Sequence, residues 1–547
     1  MSNVTRRSLL QIAAATAVSE ALGAPASASG ETPQKEESYA QSTLYTRSPI
    51  ELYINTLSAA PGDELTLHVS TTAQHFNVQI ARVGLEETVV WTQEHVRGAF
   101  HPTPDDAWKR GCRWPVSVRL RIPATWKSGY YQIKAITAAA GTPNAEFLSF
   151  VVVRAAQPTS KVLVVLSTNT YGAYNIYGGA SLYQKKGIEG DSGLSGTTGE
   201  HQVSFQRPWT PGFLWRPEGF DFDAEFSDPK NLDLTDHRYV NKLSRIDAVS
   251  CAAGFHNWER VMVRWLERNG YAVDCAVSSD LEMHPELLGR YHLMLTAGHD
   301  EYWSWGMRDT VESFVAQGGN VCFFSGDVAF WQVRFEENGR SMVCYKDNYR
   351  EDPYFKSGKR HLATGYWSSH YAGRPETQLT GLSTWYGGFS GRGDAFPNTP
   401  KGGRGYVIYR PEHWVFEGSG LSYGDYLGNA SGIVAYELDG CPLRMENGLP
   451  FPATFYDGPS SLQILGMIPA SWGGSDTSPG LTEEAFGNAN PKVVEYVKAD
   501  HHHAMMSIYA NNGTVFSAGT IDWTNGLTGN DPAVERITRN LIDRLSA

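Results

Sequence analysis

The chain has 547 residues, of which 41% are hydrophobic and 12% aromatic. At ordinary domain sizes this is enough apolar material for two or three buried cores. Its 58 acidic residues outnumber the 46 basic ones and give a formal net charge of -12. That charge argues against nucleic acid or an anionic membrane surface as the main partner, because both are negative.

The first residues resemble an export signal. Arg6 and Arg7 precede an alanine-rich apolar stretch, and the small residues 24–28 form a cleavage region, as in twin-arginine signals. We assign residues 1–29 to this signal and predict an exported protein, periplasmic or secreted. The alternative is a disordered alanine-rich tail, since Glu20 interrupts the apolar stretch. No segment of the sequence reaches the length needed to span a bilayer.

An all-β region is predicted next. Residues 30–47 are polar and without periodicity, which is typical of a linker. Between residues 48 and 156, short runs of alternating apolar and polar residues are separated by Gly and Pro turns. This alternation predicts an antiparallel, immunoglobulin-like β-sandwich. No reactive side chains gather there, so we expect a packing or accessory module.

From residue 160 to residue 547, strand and helix patterns alternate and predict an α/β domain. Strand patterns fall at 162–166, 273–277, 291–297 and 321–324. Helical patterns fall at 255–266, 304–317 and in a C-terminal stretch that Asp531 can cap. This order predicts a flavodoxin-like, doubly wound parallel sheet. Beyond residue 330 we expect a loop-rich elaboration that walls the cleft.

Two polar and aromatic segments follow strands of this sheet, at residues 168–183 and 298–303. Ligands bind outside the carboxyl ends of strands in open α/β sheets, so we expect the two segments to converge. His299 and Glu301 are two residues apart, which places both on the same side of an extended loop, where they are able to share a metal ion. The alternative is that Asp300 or Glu301 caps the following helix.

The motifs TxxAYNxxGGxSLY, WLERNGY, GHDEYW, GGN and GTIDW follow one another between about residues 160 and 530. In this order they resemble the N,N-dimethylformamidase large (beta) subunit family. The resemblance implies a glutamine amidotransferase-like fold of flavodoxin topology, preceded by a β-rich region. It also implies hydrolysis of N-substituted amides by a mononuclear iron, Fe3+, bound by two tyrosinates and one glutamate with a histidine nearby.

Site residues follow from the resemblance position by position. Glu301 matches the iron-binding glutamate, His299 the neighbouring histidine and Tyr174 the first tyrosine, so these three are the candidate metal ligands. Glu437 resembles a further active-site glutamate, which makes His299 and Glu437 the candidate catalytic residues.

The second tyrosine has no match where the family pattern places it, near Arg207-Pro208. Three interpretations stay open. Tyr183 or another residue supplies the ligand, the metal is held differently, or metal and amidase activity have been lost.

We therefore predict an iron-dependent hydrolase of C–N bonds in small N-substituted amides. The main alternative is a secreted, metal-free protein that binds a small molecule or a carbohydrate. A third hypothesis, a thiol-dependent hydrolase, requires a reactive cysteine where His299 stands, and we expect Cys275 and Cys322 to be buried as small hydrophobic residues. The predicted partner is the amide substrate, without nucleic acid or membrane; a homo-oligomer and a small partner subunit are left open.

Overall fold

The computed structural model describes residues 48–137, 145–183, 185, 199–210, 214, 253–390, 404–434, 437–472 and 491–547. The predicted export signal (1–29) and linker (30–47) lie outside the described residues. Within the described part of the chain, the helices are all too short or too polar to cross a membrane.

The N-terminal region forms two β-sheets around one core. Its elements are β1 (Ile50–Ile54), β2 (Ser58–Ala59), β3 (Glu64–Thr71), β4 (His75–Val83), β5 (Glu87–Arg97), α1 (Ala107–Arg110), β6 (Val118–Arg121), β7 (Gly129–Thr137) and β8 (Ala145–Val153). One sheet has the order β1-β3-β6 and the other β2-β8-β7-β4-β5. Leu67 of the first sheet and Ile133 of the second lie in the same buried cluster. Pairing is antiparallel as predicted, except that β2 runs parallel to β8.

The remaining strands belong to the α/β region and to small sheets around it. They are β9 (Val162–Leu166), β10 (Gln202–Ser204), β11 (Asp274–Val277), β12 (Leu293–His299), β13 (Tyr302–Ser304), β14 (Asn320–Gly326), β15 (Trp331–Glu336), β16 (Ser341–Val343), β17 (Ser383–Gly388), β18 (Tyr406–Ile408), β19 (Tyr426–Leu427), β20 (Leu438–Gly440), β21 (Leu443–Glu446), β22 (Leu449–Pro452), β23 (Gln463–Ala470), β24 (His502–Asn511) and β25 (Gly513–Ser517).

The α-helices of this region are α2 (Thr168–Tyr174), α3 (Glu259–Arg268), α4 (Asp280–Met283), α5 (Trp305–Ala316), α6 (Thr377–Thr380), α7 (Pro491–Ala499), α8 (Asn525–Thr528) and α9 (Pro532–Leu545). Single-turn or two-turn 3-10 helices cover Pro285–Arg290, Lys346–Glu351, Arg360–Leu362 and Trp414–Phe416.

The central sheet is mixed. Its nine described strands have the order β11-β9-β12-β14-β25-β24-β23-β18-β19. The first five are parallel and stand in the order 2-1-3-4-5 along the chain. Each of the other four strands pairs antiparallel with its neighbours in the sheet. The four strands predicted from the sequence are parallel. The region beyond residue 330, expected to be rich in loops, adds the parallel strand β25 and four antiparallel strands to the same sheet.

Side chains of the parallel strands alternate between two cores. Val164 of β9 lies in a cluster with α3 and α9, whereas Val165 lies in a cluster with α5. A strand covered on both faces has no solvent side, which explains why β9 is apolar throughout.

Helix ends agree with the cap signals in the sequence. Gly270 follows α3 with a φ of 80°, as a helix stop requires. Ser304 Oγ accepts a hydrogen bond from the Met307 N–H at 3.2 Å and caps α5. Asp531 Oδ1 accepts from the Ala533 N–H at 3.1 Å and so caps α9.

The β-rich region packs directly on the α/β region. Tyr130 stacks on Phe255 with ring centroids 3.8 Å apart, and Arg82 Nη2 lies 2.6 Å from Glu267 Oε1. Stacked rings with a half-buried ion pair indicate a fixed contact between the two regions.

Candidate active site

The polar side chains of the site come from adjacent parallel strands, at the edge where those strands end. His299 is the last residue of β12, Asp327 directly follows β14, and Tyr174 ends the helix α2 that follows β9. Glu437 reaches the same place as the residue before β20. The two segments that the sequence analysis expected to converge therefore do so.

Gly298 shapes the end of β12. Its φ is 82°, a conformation that glycine adopts without strain. A Cβ at this position would lie 2.6 Å from the Cβ of Trp258, so the close approach also demands glycine. The ring of Trp258 meets His299 edge to face, with centroids 6.5 Å apart. The turn and Trp258 together orient the imidazole.

The carboxylate of Glu301 is the centre of the site, because three aromatic side chains donate to it. Tyr174 OH lies 3.2 Å from Oε2, Tyr183 OH lies 2.9 Å from Oε2, and Trp331 Nε1 lies 2.7 Å from Oε1. Tyr302 OH donates a short hydrogen bond to Tyr183 OH. Tyr183, one of the residues left open as the second tyrosine, thus stands beside Tyr174 against the same carboxylate.

The backbone of Glu301 is held from two sides. Its N–H donates to Thr170 Oγ1 at 3.3 Å, and its carbonyl accepts from the Trp331 N–H at 2.9 Å. Ser304 rather than Asp300 or Glu301 caps α5, so the capping alternative is wrong. The Glu301 carboxylate is turned to the site instead.

His299 lies among three carboxylates. Its Nε2 is 2.7 Å from Glu437 Oε2, 3.3 Å from Glu301 Oε2 and 3.4 Å from Asp327 Oδ2. Burial alone lowers the pKa of the imidazole, but these carboxylates, Glu437 above all, raise the pKa of His299 well above its usual value. The raised pKa of His299 favours its protonated form, and a protonated imidazole is able to donate a proton.

Asp327 is a site residue that was not predicted from the sequence. Its Oδ1 accepts from Thr384 Oγ1 at 2.5 Å, and the same hydroxyl lies 2.6 Å from Asp439 Oδ1. Asp327 and Glu437 have φ values of 54° and 45°, backbone strain of the kind found at functional sites. The sequence did contain a signal for Asp327: it is an acidic residue directly after Gly326, the last residue of the strand next to β12.

The donor set fits a hard cation. Ligand atoms of His299, Glu301 and Asp327 all lie within 4.8 Å of one another, and the phenols of Tyr174 and Tyr183 add two oxygens. Burial, then the charge of Glu301, raises the pKa of Tyr174 well above its usual value. The phenol of Tyr174 therefore keeps its proton unless a bound cation takes the place of that proton. Phenolate and carboxylate oxygens are ligands that Fe3+ prefers.

A thiol nucleophile finds no support among the described residues. The five described cysteines are all buried, which confirms the expectation for Cys275 and Cys322. Burial raises the pKa of Cys275 to about 12, whereas a nucleophilic thiol needs a lowered pKa. Cys251 lies outside the described residues.

Known proteins match this chain over most of its length. A family model described as N,N-dimethylformamidase beta subunit-like, C-terminal, matches residues 77–536. The N,N-dimethylformamidase beta subunit of Paracoccus aminophilus is 25% identical over 467 residues, and that of an Alcaligenes species 24% identical over 468 residues. Each match covers 79% of this chain and 54% of the relative. The chain thus spans about half the length of the curated relatives it matches.

Two solved structures each match about a fifth of the chain. Spo0M of Bacillus subtilis covers 19% of this chain and 49% of its own, with 14% identity and a TM-score of 0.14. Murine CRIg covers 20% of this chain and 98% of its own, with 10% identity and a TM-score of 0.15. These scores are too low to establish a shared fold. The family model, which covers more than half of the chain, does establish kinship: this protein belongs to the N,N-dimethylformamidase beta subunit-like family.

Proposed function

We propose that this protein hydrolyses the C–N bond of small N-substituted amides with a mononuclear Fe3+ ion bound by Tyr174, Tyr183 and Glu301. The observation that carries the proposal is that both phenol oxygens meet one carboxylate oxygen, at 3.2 and 2.9 Å. Oxygen ligands that share an ion at about 2.0–2.2 Å lie about 3 Å apart. The names of the two relatives support an amide as the substrate class.

His299 is assigned to proton transfer rather than to the metal. Glu437 lies nearest to its Nε2, at 2.7 Å, and a protonated imidazole nitrogen has no lone pair for a metal ion. Among the candidate ligands named from the sequence, Tyr174 and Glu301 are retained and Tyr183 takes the open position.

The residues of the chain supply the proton transfers of hydrolysis. Bound Fe3+ would supply Lewis acidity toward the amide carbonyl and toward water. Glu437 accepts a proton from the attacking water. His299 donates a proton to the amine nitrogen as the C–N bond breaks, so that water is consumed and a carboxylic acid and an amine are released. Asp327 holds the imidazolium from a further side at 3.4 Å.

We also propose a fold, an assembly and a location for this protein. The order 2-1-3-4-5 of the parallel strands supports a flavodoxin-like sheet, and the two N-terminal sheets support an immunoglobulin-like sandwich. The relatives are named as beta subunits, which supports an assembled enzyme, either a homo-oligomer or a complex with a small subunit. The N-terminal sequence supports export.

Amine release tests the proposed activity. Purified protein is stripped of metal with a chelator, reloaded with iron, and incubated with N,N-dimethylformamide and other N-alkyl amides. We expect amine release from the iron-loaded protein, little from the stripped protein, and a rate about 10²–10⁴-fold lower from the iron-loaded Glu437→Gln variant. Equal rates with and without iron would contradict the metal mechanism, and absence of release from every amide would contradict the activity.

A further inference from the structure

A buried lysine lies against one of the two tyrosines. Lys346 Nζ is 3.3 Å from the centroid of the Tyr183 ring and 5.3 Å from the ring centroids of Tyr302 and Trp331. Lys346 is 2% exposed. Burying an ammonium group is costly unless negative charge or aromatic faces compensate for the lost water. The position of Lys346 therefore favours negative charge on Tyr183.

The hydroxyl of Tyr183 also receives a hydrogen bond. Tyr302 OH donates to it, and Tyr183 OH in turn lies 2.9 Å from Glu301 Oε2. An oxygen that carries negative charge is stabilised by such a donor more strongly than a neutral one. Tyr174 is placed differently, since its ring packs against Tyr183 at 4.1 Å and against His299 at 5.7 Å. The two tyrosines thus stand in unequal surroundings.

We propose that Lys346 and Tyr302 are positioning residues that stabilise negative charge on the Tyr183 oxygen when it binds the metal, so that Tyr183 and Tyr174 are unequal ligands. The inference rests on the proposed iron site and adds a division of roles within it. A positive charge beside a phenolate lowers the energy of its electrons. Charge transfer from Tyr183 to iron then requires more energy, and removing the positive charge shifts the visible band to longer wavelength.

The absorbance maximum of the iron-loaded protein measures this effect without relying on catalysis. Lys346→Met removes the charge and nearly keeps the length of the side chain, and Lys346→Arg keeps the charge. Lys359→Met is the matched control, because Lys359 is exposed and the substitution changes the formal charge equally. Tyr302→Phe removes only the donor to Tyr183 and gives a second test should Lys346→Met fail to fold.

We expect a shift to longer wavelength for Lys346→Met and Tyr302→Phe, and the wild-type maximum for Lys346→Arg and Lys359→Met. A folded Lys346→Met chain that loses iron while Lys346→Arg retains it also supports the inference. Wild-type iron content and maximum in both Lys346→Met and Tyr302→Phe would overturn it while leaving the iron site intact. A wild type without iron or colour would overturn the proposed iron site, and this inference with it.

Discussion

Substituting Glu301 separates metal binding from folding. Its carboxylate accepts hydrogen bonds from Tyr174, Tyr183 and Trp331. Glu301→Gln keeps the shape of the side chain but replaces an anionic oxygen by a neutral amide, a poorer ligand for Fe3+. We expect this variant to fold and to lose its iron.

The hydrogen bonds give the expected stabilities of the metal-free chains. In Glu301→Gln the amide oxygen still accepts from Trp331, and the two phenols are able to accept from the amide nitrogen. Its free energy of unfolding should stay within about 1 kcal/mol of the metal-free wild type. Glu301→Ala removes the carboxylate that accepts three buried hydrogen bonds, at about 1–3 kcal/mol each, so we expect a loss of about 3 kcal/mol or more.

Iron analysis after identical loading, together with urea unfolding of the metal-free chains, checks both expectations. Glu376→Gln is the control, since Glu376 is a buried carboxylate that binds Ser368 and Ser383 outside the site; this variant should keep its iron. Wild-type iron content in Glu301→Gln would refute the ligand assignment. Equal stability of Glu301→Ala and Glu301→Gln would refute the hydrogen-bond reasoning.

Three further substitutions test the proton transfer, the buried acid of α3 and the turn before His299. Glu437→Gln should keep iron but lower turnover about 10²–10⁴-fold, as steady-state rates will show, because it removes the proton acceptor. Burial raises the pKa of Glu259 from 4.5 to about 8, so the unfolded state loses this proton first and the free energy of unfolding falls as pH rises between those values. The slope of the free energy of unfolding against pH is up to about 1.4 kcal/mol per pH unit. Urea unfolding across this pH range should show that Glu259→Gln removes this slope. An unchanged slope in the variant would count against a buried, neutral Glu259. Gly298→Ala should cost about 1–2 kcal/mol for the left-handed backbone, plus the clash with Trp258, and should lower iron content; a variant as stable as wild type would contradict the contact.

Local patterns in the sequence predicted four of the five parallel strands, β9, β11, β12 and β14; β25 and the antiparallel strands of the sheet were not predicted. The run 162–166 is apolar because both faces of β9 are covered, and Asp531 marks the start of α9 by capping it. In contrast, β18 and β19 have three and two residues. Strands this short carry no usable periodicity, so only the fold shows that they extend the central sheet.

The site was predictable where its residues lie in one motif. His299 and Glu301 share a loop, which made their proximity visible in the sequence. Tyr183 was left open because the second tyrosine was expected near Arg207. In the structure Arg207 has another role: its Nη1 donates to the carbonyls of Tyr177 and Ala180, at 2.5 and 3.1 Å. Arg207 thus anchors the segment that carries both tyrosines, a relation that spacing along the chain does not reveal.

Asp327 was not predicted because its contact with the site joins residues that are far apart along the chain. It is 28 residues from His299 along the chain, and only the parallel pairing of β12 with β14 brings the two together. Parallel strands align their carboxyl ends, so an acidic residue directly after a neighbouring strand deserves the same weight as one inside a motif.

The most direct test of the account is metal analysis of the purified wild-type protein combined with an absorbance scan. We expect about one iron per chain and a broad visible band from tyrosinate-to-iron charge transfer, both lost in Glu301→Gln. A wild type that stays colourless and metal-free after iron loading would contradict the iron site and favour a metal-free binding protein.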